Sequence, residues 1–280
     1  MDKWRRCAIH LRNCIHPIML LLSKTRVKYQ IIFGEIVDLL PNRPTIFAVN
    51  HSNCFDAPVS ATAISRAYGR RCDILAGKQP MWLTDRLFLS LNGVIWIDRK
   101  SKPEMIRIKE KLIAHLKQGS TIMWYPEGTW NLTDNLLMLP MKWGIIEVAA
   151  KAGAQIVPVV LEYDREKMTC HVGFGSPIMP NEKTDKAESI QQLRDRMATI
   201  RYEQWETRGL LRRGEINTEA LREELLSAIK EYPPIDWNYE QTVIFHPQAS
   251  PEVAFAHLHT LIPSRENAFL FNKRYAKICD

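Results

Sequence analysis

Residues 45–56 run Thr-Ile-Phe-Ala-Val-Asn-His-Ser-Asn-Cys-Phe-Asp, and the rest of the fold can be built around this stretch. Residues 45–49 form a continuous apolar run, which is typical of a strand buried on both faces. His51 follows that run, and Asp56 lies five positions later, where a helix is predicted to begin. A carboxylate beside an imidazole fixes its tautomer and stabilises the imidazolium that forms when the other nitrogen takes a proton. The stretch therefore predicts a base, His51, at a strand end, with Asp56 orienting it.

Strands and helices alternate on both sides of this stretch. The alternation predicts an α/β fold with a mostly parallel central sheet flanked by helices. Strands are predicted in residues 29–39 (one or two), 45–49, 72–76, 94–97, 121–125, 154–163 and 168–174, the last two as a hairpin. Helices are predicted in residues 56–67, 101–119, 141–151, 188–208 and 217–232.

Three further blocks follow in order: Gly-Val-Ile-Trp-Ile-Asp-Arg-Lys at 93–100, Trp-Tyr-Pro-Glu-Gly-Thr at 124–129, and Ile-Val-Pro-Val-Val at 156–160. Together with the His51 and Asp56 pair, they resemble the four blocks of the glycerophospholipid acyltransferases, typified by lysophosphatidic acid acyltransferase. The resemblance covers roughly residues 30–200. It implies an O-acyltransferase in which His51 deprotonates an acceptor hydroxyl and no protein nucleophile is needed.

The resemblance also implies a substrate site. Arg99 matches the family arginine that binds the acceptor phosphate, a role suited to a bidentate guanidinium. The substrate-binding residues that it implies are Lys78, Arg99, Glu127, Gly128 and Thr129. No metal and no cofactor are expected, since acyl-CoA or acyl-carrier protein serves as the co-substrate. Cys54, inside the first block, is interpreted as a small side chain filling a turn rather than as a nucleophile.

Trp130 departs from the family pattern. Many relatives carry a basic residue after Glu-Gly-Thr that contributes to phosphate binding, whereas this chain continues with Trp130 and Asn131. An aromatic side chain is better suited to stacking on a sugar ring or packing against lipid. The acceptor is therefore expected to be lysophosphatidic acid, with a glycolipid or another non-phosphatidate lipid as the alternative.

The positive charge of the chain is concentrated at its beginning. The net charge is +7, and residues 1–29 contain seven basic residues against one acidic residue. Apolar residues recur at helical spacing in residues 4–22, and the apolar part, from about residue 14 to residue 22, is too short to cross a bilayer. Residues 1–28 are therefore predicted to be a basic amphipathic segment whose helix lies on a phospholipid surface, and the protein to be peripheral on the cytoplasmic face of the cell membrane. A plain helix packed on the domain is the alternative.

The remaining features complete the predicted organisation. The acyltransferase domain is assigned to residues 29–210, and residues 211–280 form an appendage whose role the sequence does not reveal. Six cysteines without CxxC spacing indicate reduced thiols in the cytosol. His257 and His259 lack acidic or cysteine neighbours at ligand spacing and are interpreted as ordinary polar residues.

Other function classes fit less well. Nucleic acid is not expected as a partner, because no zinc-finger, RNP or helix-turn-helix signature is present. A hydrolase would need a serine nucleophile, and no Gly-x-Ser-x-Gly elbow occurs. A lipid-binding scaffold with a degenerate site is the remaining alternative, which the presence of His51, Asp56, Arg99 and Glu127 disfavours.

Overall fold

A seven-stranded sheet forms the centre of the molecule in a computed structural model. The structure describes residues 29–52, 55–77, 83–91, 93–98, 101–128, 130–131, 137–164 and 167–208. The strands are β1 (Gln30–Phe33), β2 (Thr45–Val49), β3 (Cys72–Gly77), β4 (Val94–Ile97), β5 (Thr121–Trp124), β6 (Gln155–Asp164) and β7 (Thr169–Phe174). Their order is β1-β7-β6-β2-β5-β3-β4, so β2 is the central strand. β2 to β6 run parallel, and the hairpin from β6 to β7 brings in the antiparallel pair.

Helices cover both faces of this sheet. They are α1 (Asp56–Tyr68), α2 (Leu83–Leu91), α3 (Lys102–Lys117), α4 (Gly144–Ala152) and α5 (Lys186–Arg208). The side chains of β2 alternate between two cores: Ile46 and Ala48 pack with α3, α4 and α5, and Phe47 and Val49 pack with α1. All five residues of β2 are fully buried. Burying each large apolar side chain contributes about 1.5–3 kcal/mol, which explains the uninterrupted apolar run.

The predicted α/β architecture with a mostly parallel sheet is confirmed. The predicted hairpin between the last two strands is confirmed as well, with Val160 opposite Gly173 in the antiparallel register. Two predictions are wrong in detail. Residues 34–39 lie outside any strand, and α2 lies in a stretch where no element was predicted. The predicted helices at residues 1–28 and 217–232 and the appendage at 211–280 lie outside the described residues.

Several large apolar side chains are exposed on the described surface. Leu83 is 81% exposed and Leu87 is 62% exposed, one helical turn apart on the same side of α2. Trp143, which precedes α4, is 56% exposed. Among the described residues, no helix combines the length and apolarity required to span a bilayer.

α5 packs so tightly on β7 that a single methyl group at Gly173 would not fit. A Cβ there would lie 2.5 Å from Cγ2 of Ile200 and 2.9 Å from Nε2 of Gln204. We expect Gly173→Ala to lower the free energy of unfolding by about 1–3 kcal/mol, because overpacking forces α5 to shift. Urea denaturation followed by circular dichroism measures this. Gly34→Ala is the control, since its nearest atom would lie at an ordinary 3.6 Å; an equal effect in both variants would contradict the packing argument.

Candidate active site

The carboxyl ends of the parallel strands meet at one edge of the sheet, and the predicted site residues follow those ends in the chain. His51 lies two residues after β2, and Glu127 lies three residues after the neighbouring strand β5. β3 and β4 end at the same edge. Ligands in open α/β sheets bind at this edge because the loops after the strands converge there. The fold therefore assembles the site from residues far apart in the sequence.

Asn50 fixes the direction in which the chain leaves β2. Its side-chain amide donates to the carbonyl of Leu161 at 3.1 Å, and its Oδ1 accepts from the N–H of Leu161 at 2.7 Å. The amide thus extends the ladder between β2 and β6 by one step beyond the strand. Asn50 is 2% exposed, so these bonds are protected from water. His51 is thereby anchored at a defined place on the edge of the sheet.

His51 and Asp56 form the predicted pair. Nδ1 of His51 lies 2.8 Å from Oδ2 of Asp56, whose carboxylate is fully buried. Further groups donate to the carboxylate: the N–H of Ser52 to Oδ2, and the hydroxyls of Tyr163 and Ser52 to Oδ1 at 2.8 Å and 3.4 Å. A carboxylate only accepts, so Nδ1 carries the imidazole proton and Nε2 keeps its lone pair. The pair is therefore arranged for Nε2 to act as a base.

Two aromatic rings enclose the imidazole. Tyr125 stacks on His51 with ring centroids 4.3 Å apart and planes 23° apart. The indole of Trp130 meets the imidazole edge-on, and its Nε1–H donates to Nε2 of His51 at 2.7 Å. Tyr125 in turn shares a hydrogen bond of 3.2 Å with Ser60, and burial raises the pKa of its phenol well above the usual range. The side chain of His51 remains 21% exposed.

Glu127 holds the backbone of the site. Its carboxylate is fully buried and accepts from the N–H of His51 at 3.0 Å and from the N–H of Leu139 at 2.8 Å. Burial raises the pKa of Glu127 to about 7, although these two hydrogen bonds and the charges of Arg201 and Arg194 act against the rise. In this geometry Glu127 positions His51; its predicted contact with the acceptor stays a prediction.

Two arginines of α5 bind the segment whose backbone donates to Glu127. Arg194 donates to the carbonyl of Met138 from Nε at 3.2 Å and from Nη2 at 2.9 Å. Arg201 donates to the carbonyl of Leu137 at 2.6 Å and pairs with Glu162 at 2.8 Å. The two are seven positions apart, which places them on the same face of the helix. Their hydrogen bonds fix residues 137–139, and therefore the position of the Leu139 N–H that donates to Glu127.

The predicted site residues are placed unequally. His51, Asp56, Glu127 and Gly128 lie together, and Gly128 has a φ of 76°, a left-handed conformation that favours glycine. Lys78, Arg99 and Thr129 lie outside the described residues, as does Cys54. Their predicted roles stay predictions.

Sequence reasoning missed four residues that shape the site: Asn50, Tyr163, Arg194 and Arg201. Asn50 had a local signal, since it lies between the buried strand and His51 and its amide can continue a ladder. Arg194 and Arg201 had a local signal as well, since their seven-residue spacing places both on one face of a helix. Nothing in the sequence indicated that Tyr163 meets Asp56, because 107 positions separate them.

Comparison with known proteins shows which proteins the chain is similar to. Residues 30–162 match the family model described as Acyltransferase. The chain is 29% identical over 151 residues, 53% of its length and 47% of the relative's, to a 1-acyl-sn-glycerol-3-phosphate acyltransferase of Saccharomyces cerevisiae. It is 27% identical over 202 residues, 71% of its length and 52% of the relative's, to a protein of the same name from Chlamydomonas reinhardtii. The chain thus spans about half the length of these relatives.

A solved structure shares the fold. The crystal structure of the 1-acyl-sn-glycerophosphate acyltransferase from Thermotoga maritima superposes with a TM-score of 0.53 at 16% sequence identity. The match covers 76% of this chain and 86% of that one. The likeness extends over most of both molecules and concerns the architecture alone.

Proposed function

We propose that the chain is an acyltransferase of the family that its residues 30–162 match, and that it is a membrane-associated O-acyltransferase. It moves a fatty acyl chain from acyl-CoA or acyl-carrier protein to the hydroxyl of a lyso-lipid. The observation that carries the proposal is the His51–Asp56 pair at 2.8 Å, at the carboxyl edge of the sheet. Lysophosphatidic acid is the acceptor we rank first, since the relatives are named for 1-acyl-sn-glycerol-3-phosphate.

The proposed reaction uses His51 as a base and then as an acid. Nε2 takes the proton of the acceptor hydroxyl while the oxygen attacks the carbonyl carbon of the thioester. Asp56 stabilises the imidazolium that this step creates, because its buried carboxylate faces Nδ1. The tetrahedral intermediate then collapses, the C–S bond breaks, and the thiolate leaves with the proton from His51. The products are the acylated lipid and the free thiol.

The membrane part of the proposal is supported by charge and apolar surface. Residues 1–29 carry seven basic side chains, which favour anionic lipid head groups. The exposed side chains of Leu83, Leu87 and Trp143 offer apolar contacts of the kind that interfacial proteins insert among lipids. We place the protein on the cytoplasmic face of the membrane, where the thiol-linked acyl donors are found.

A second candidate keeps the reaction and changes the acceptor to a glycolipid or another non-phosphatidate lipid. It is favoured by Trp130, which stands where many relatives carry a cation. The indole is 3% exposed and donates to His51, so it supplies no charge to an acceptor phosphate. If the acceptor does carry a phosphate, its charge must be balanced by other residues, such as Arg99 and Lys78.

The test is an acceptor panel with the purified full-length protein in liposomes. Radiolabelled acyl-CoA and acyl-carrier protein are offered with lysophosphatidic acid, other lyso-lipids and glycolipids. We expect phosphatidic acid to form in the wild type and in His171→Ala, a control on β7, and to be absent in His51→Ala. Acylation of a different lipid alone would favour the second candidate. Transfer that does not depend on His51 would contradict the mechanism, and no transfer would favour the scaffold alternative.

A further inference from the structure

The nitrogen that has to accept the substrate's proton is already occupied. Nε1 of Trp130 lies 2.7 Å from Nε2 of His51, with the indole plane 76° from the imidazole plane. This is the geometry of an N–H pointing along the in-plane lone pair of the imidazole. Trp130 is 3% exposed, so the hydrogen bond is closed off from bulk water. An acceptor hydroxyl cannot reach the same lone pair while the indole is there.

The indole differs from a substrate in one essential way. Its Nε1–H only donates and does not lose its proton at neutral pH, so it cannot be activated by His51. It therefore blocks the base without being consumed. Nδ1 offers no second route, because it carries the proton that faces Asp56.

We propose that Trp130 is a specificity-determining residue that covers Nε2 of His51 until the acceptor lipid displaces its indole. This inference rests on the proposed function and explains why the donor thioester is not hydrolysed when no acceptor is bound. In the side reaction, the oxygen of water bonds to the carbonyl carbon and its proton passes to Nε2. The C–S bond then breaks, the thiolate takes that proton, and a free fatty acid results. A covered Nε2 prevents this reaction when no acceptor is present.

The selection between lipid and water follows from binding energy. A lyso-lipid binds through its head group and its acyl chain, and part of that energy can offset the cost of moving the indole. Water has no such remote contacts and cannot drive the displacement. Cover and base are held together through the neighbouring residue, because the N–H of Asn131 donates to the carbonyl of His51 at 2.7 Å. Because this bond holds the backbone beside Trp130, we assign the displacement to rotation of the Trp130 side chain.

The first experiment measures the cover without requiring turnover. Diethyl pyrocarbonate acylates the unprotonated nitrogen of neutral imidazole, and mass spectrometry of the peptide that contains His51 gives the rate. We expect about a two- to tenfold faster rate in Trp130→Phe than in the wild type, since one hydrogen bond no longer competes for the lone pair. Trp96→Phe is the matched control, because its indole donates to Ser90 at 2.8 Å outside the site. Equal rates in Trp130→Phe and wild type would overturn the proposal.

Two further measurements keep the result interpretable. The rate at His171 in the same samples reports general unfolding and should not change. If Trp130→Phe does not fold, ¹⁵N-tryptophan-labelled wild type is compared with His51→Ala. One indole N–H should then exchange faster with solvent in His51→Ala, and no change at any indole would overturn the proposal.

The last arm tests specificity. The ratio of acyl-CoA hydrolysis to lipid acylation should rise in Trp130→Phe and stay at the wild-type value in Trp96→Phe. A faster reaction of His51 with an unchanged ratio would overturn the role in specificity. If the wild type transfers no acyl group to any lipid, the proposed function fails and the role in specificity fails with it, whereas the carbethoxylation rates still decide whether Trp130 covers His51.

Discussion

Asp56→Asn is expected to slow acyl transfer by about three to four orders of magnitude. The carboxylate accepts from His51, from the N–H of Ser52 and from the hydroxyl of Tyr163. An amide offers a single acceptor oxygen, and its NH₂ group would face one of these donors or Nδ1. The imidazole would then take the wrong tautomer or turn away, and the imidazolium would lose its counter-charge. The turnover number with a fixed acceptor measures the effect.

The matched control is Asp164→Asn, at the end of the strand that carries Tyr163. Its partner is Lys167 on the surface, so acyl transfer should remain at the wild-type rate. The double variant His51→Ala/Asp56→Asn should be no slower than His51→Ala alone, because the two residues act as one unit. A loss below about tenfold in Asp56→Asn with an intact fold would mean that Asp56 only stabilises the start of α1.

The sequence predicted the sheet well because its strands carry strong local signals. The fully buried β2 could be identified from the four apolar residues that follow Thr45, and the hairpin of β6 and β7 from adjacent runs with a short turn. α2 does carry apolar residues at helical spacing, Leu83, Leu87 and Leu91, and sequence reasoning overlooked this signal in a helix of nine residues. Leu83 and Leu87, which would have marked a buried face, are exposed instead.

The error in residues 34–39 has a different cause. The stretch is partly apolar, as a strand would be, but beyond Gly34, whose N–H donates to the carbonyl of Val172 at 2.9 Å, side chains bind its backbone. The hydroxyl of Tyr68 donates to the carbonyl of Val37 at 3.0 Å, and the amide of Gln155 bonds to both the N–H and the carbonyl of Leu40. Such contacts satisfy the backbone from distant positions, which local pattern reasoning cannot detect.

From local patterns alone, the contacts of the site were predictable where its residues lie close in sequence. His51 and Asp56 are five positions apart, and their pairing could be inferred from the chain alone. The contact of Trp130 with His51 spans 79 positions, and that of Glu127 with the backbone of His51 spans 76. Both depend on β2 and β5 lying side by side, which the sequence did not determine. The predicted place of Glu127 in the acceptor site came from the family resemblance and stays a prediction, whereas its hydrogen bond to the backbone of His51 was not foreseen.

Glu127→Gln is expected to reduce acyl transfer by about a hundredfold, through the position of His51. Both carboxylate oxygens accept backbone N–H groups, from His51 and from Leu139. The glutamine side chain keeps the shape but replaces one oxygen with NH₂, which confronts one of the two N–H groups. A buried donor without an acceptor costs about 1–3 kcal/mol, so the backbone is expected to move away from it. Steady-state kinetics, with circular dichroism to verify folding, provide the measurement.

The same variant should change how stability depends on pH. The pKa of Glu127 is raised by burial from an ordinary value of 4.5 to about 7 in the folded protein. Between these two values the folded state binds more protons than the unfolded state, so the free energy of unfolding falls as the pH rises. Titration of Glu127 lowers the free energy of unfolding by about 3 kcal/mol between pH 4.5 and about 7, and this effect is constant at higher pH. Glu127→Gln lacks the titrating group, so its free energy of unfolding relative to that of the wild type should rise by this amount between pH 4.5 and about 7.

Glu147→Gln is the control with the opposite sign. The hydrogen bond from Lys109 is the main cause that lowers the pKa of Glu147, so its stabilising contribution is present at neutral pH and disappears as the pH falls. Relative to the wild type, Glu147→Gln should therefore lose stability as the pH rises toward 4.5 and stay constant above it, whereas Glu127→Gln should gain stability between pH 4.5 and about 7. Urea denaturation at several pH values separates the two variants. If the curve for Glu127→Gln runs parallel to that of the wild type between pH of about 5 and 7.5, Glu127 is not the buried, proton-binding support of His51 that its contacts indicate.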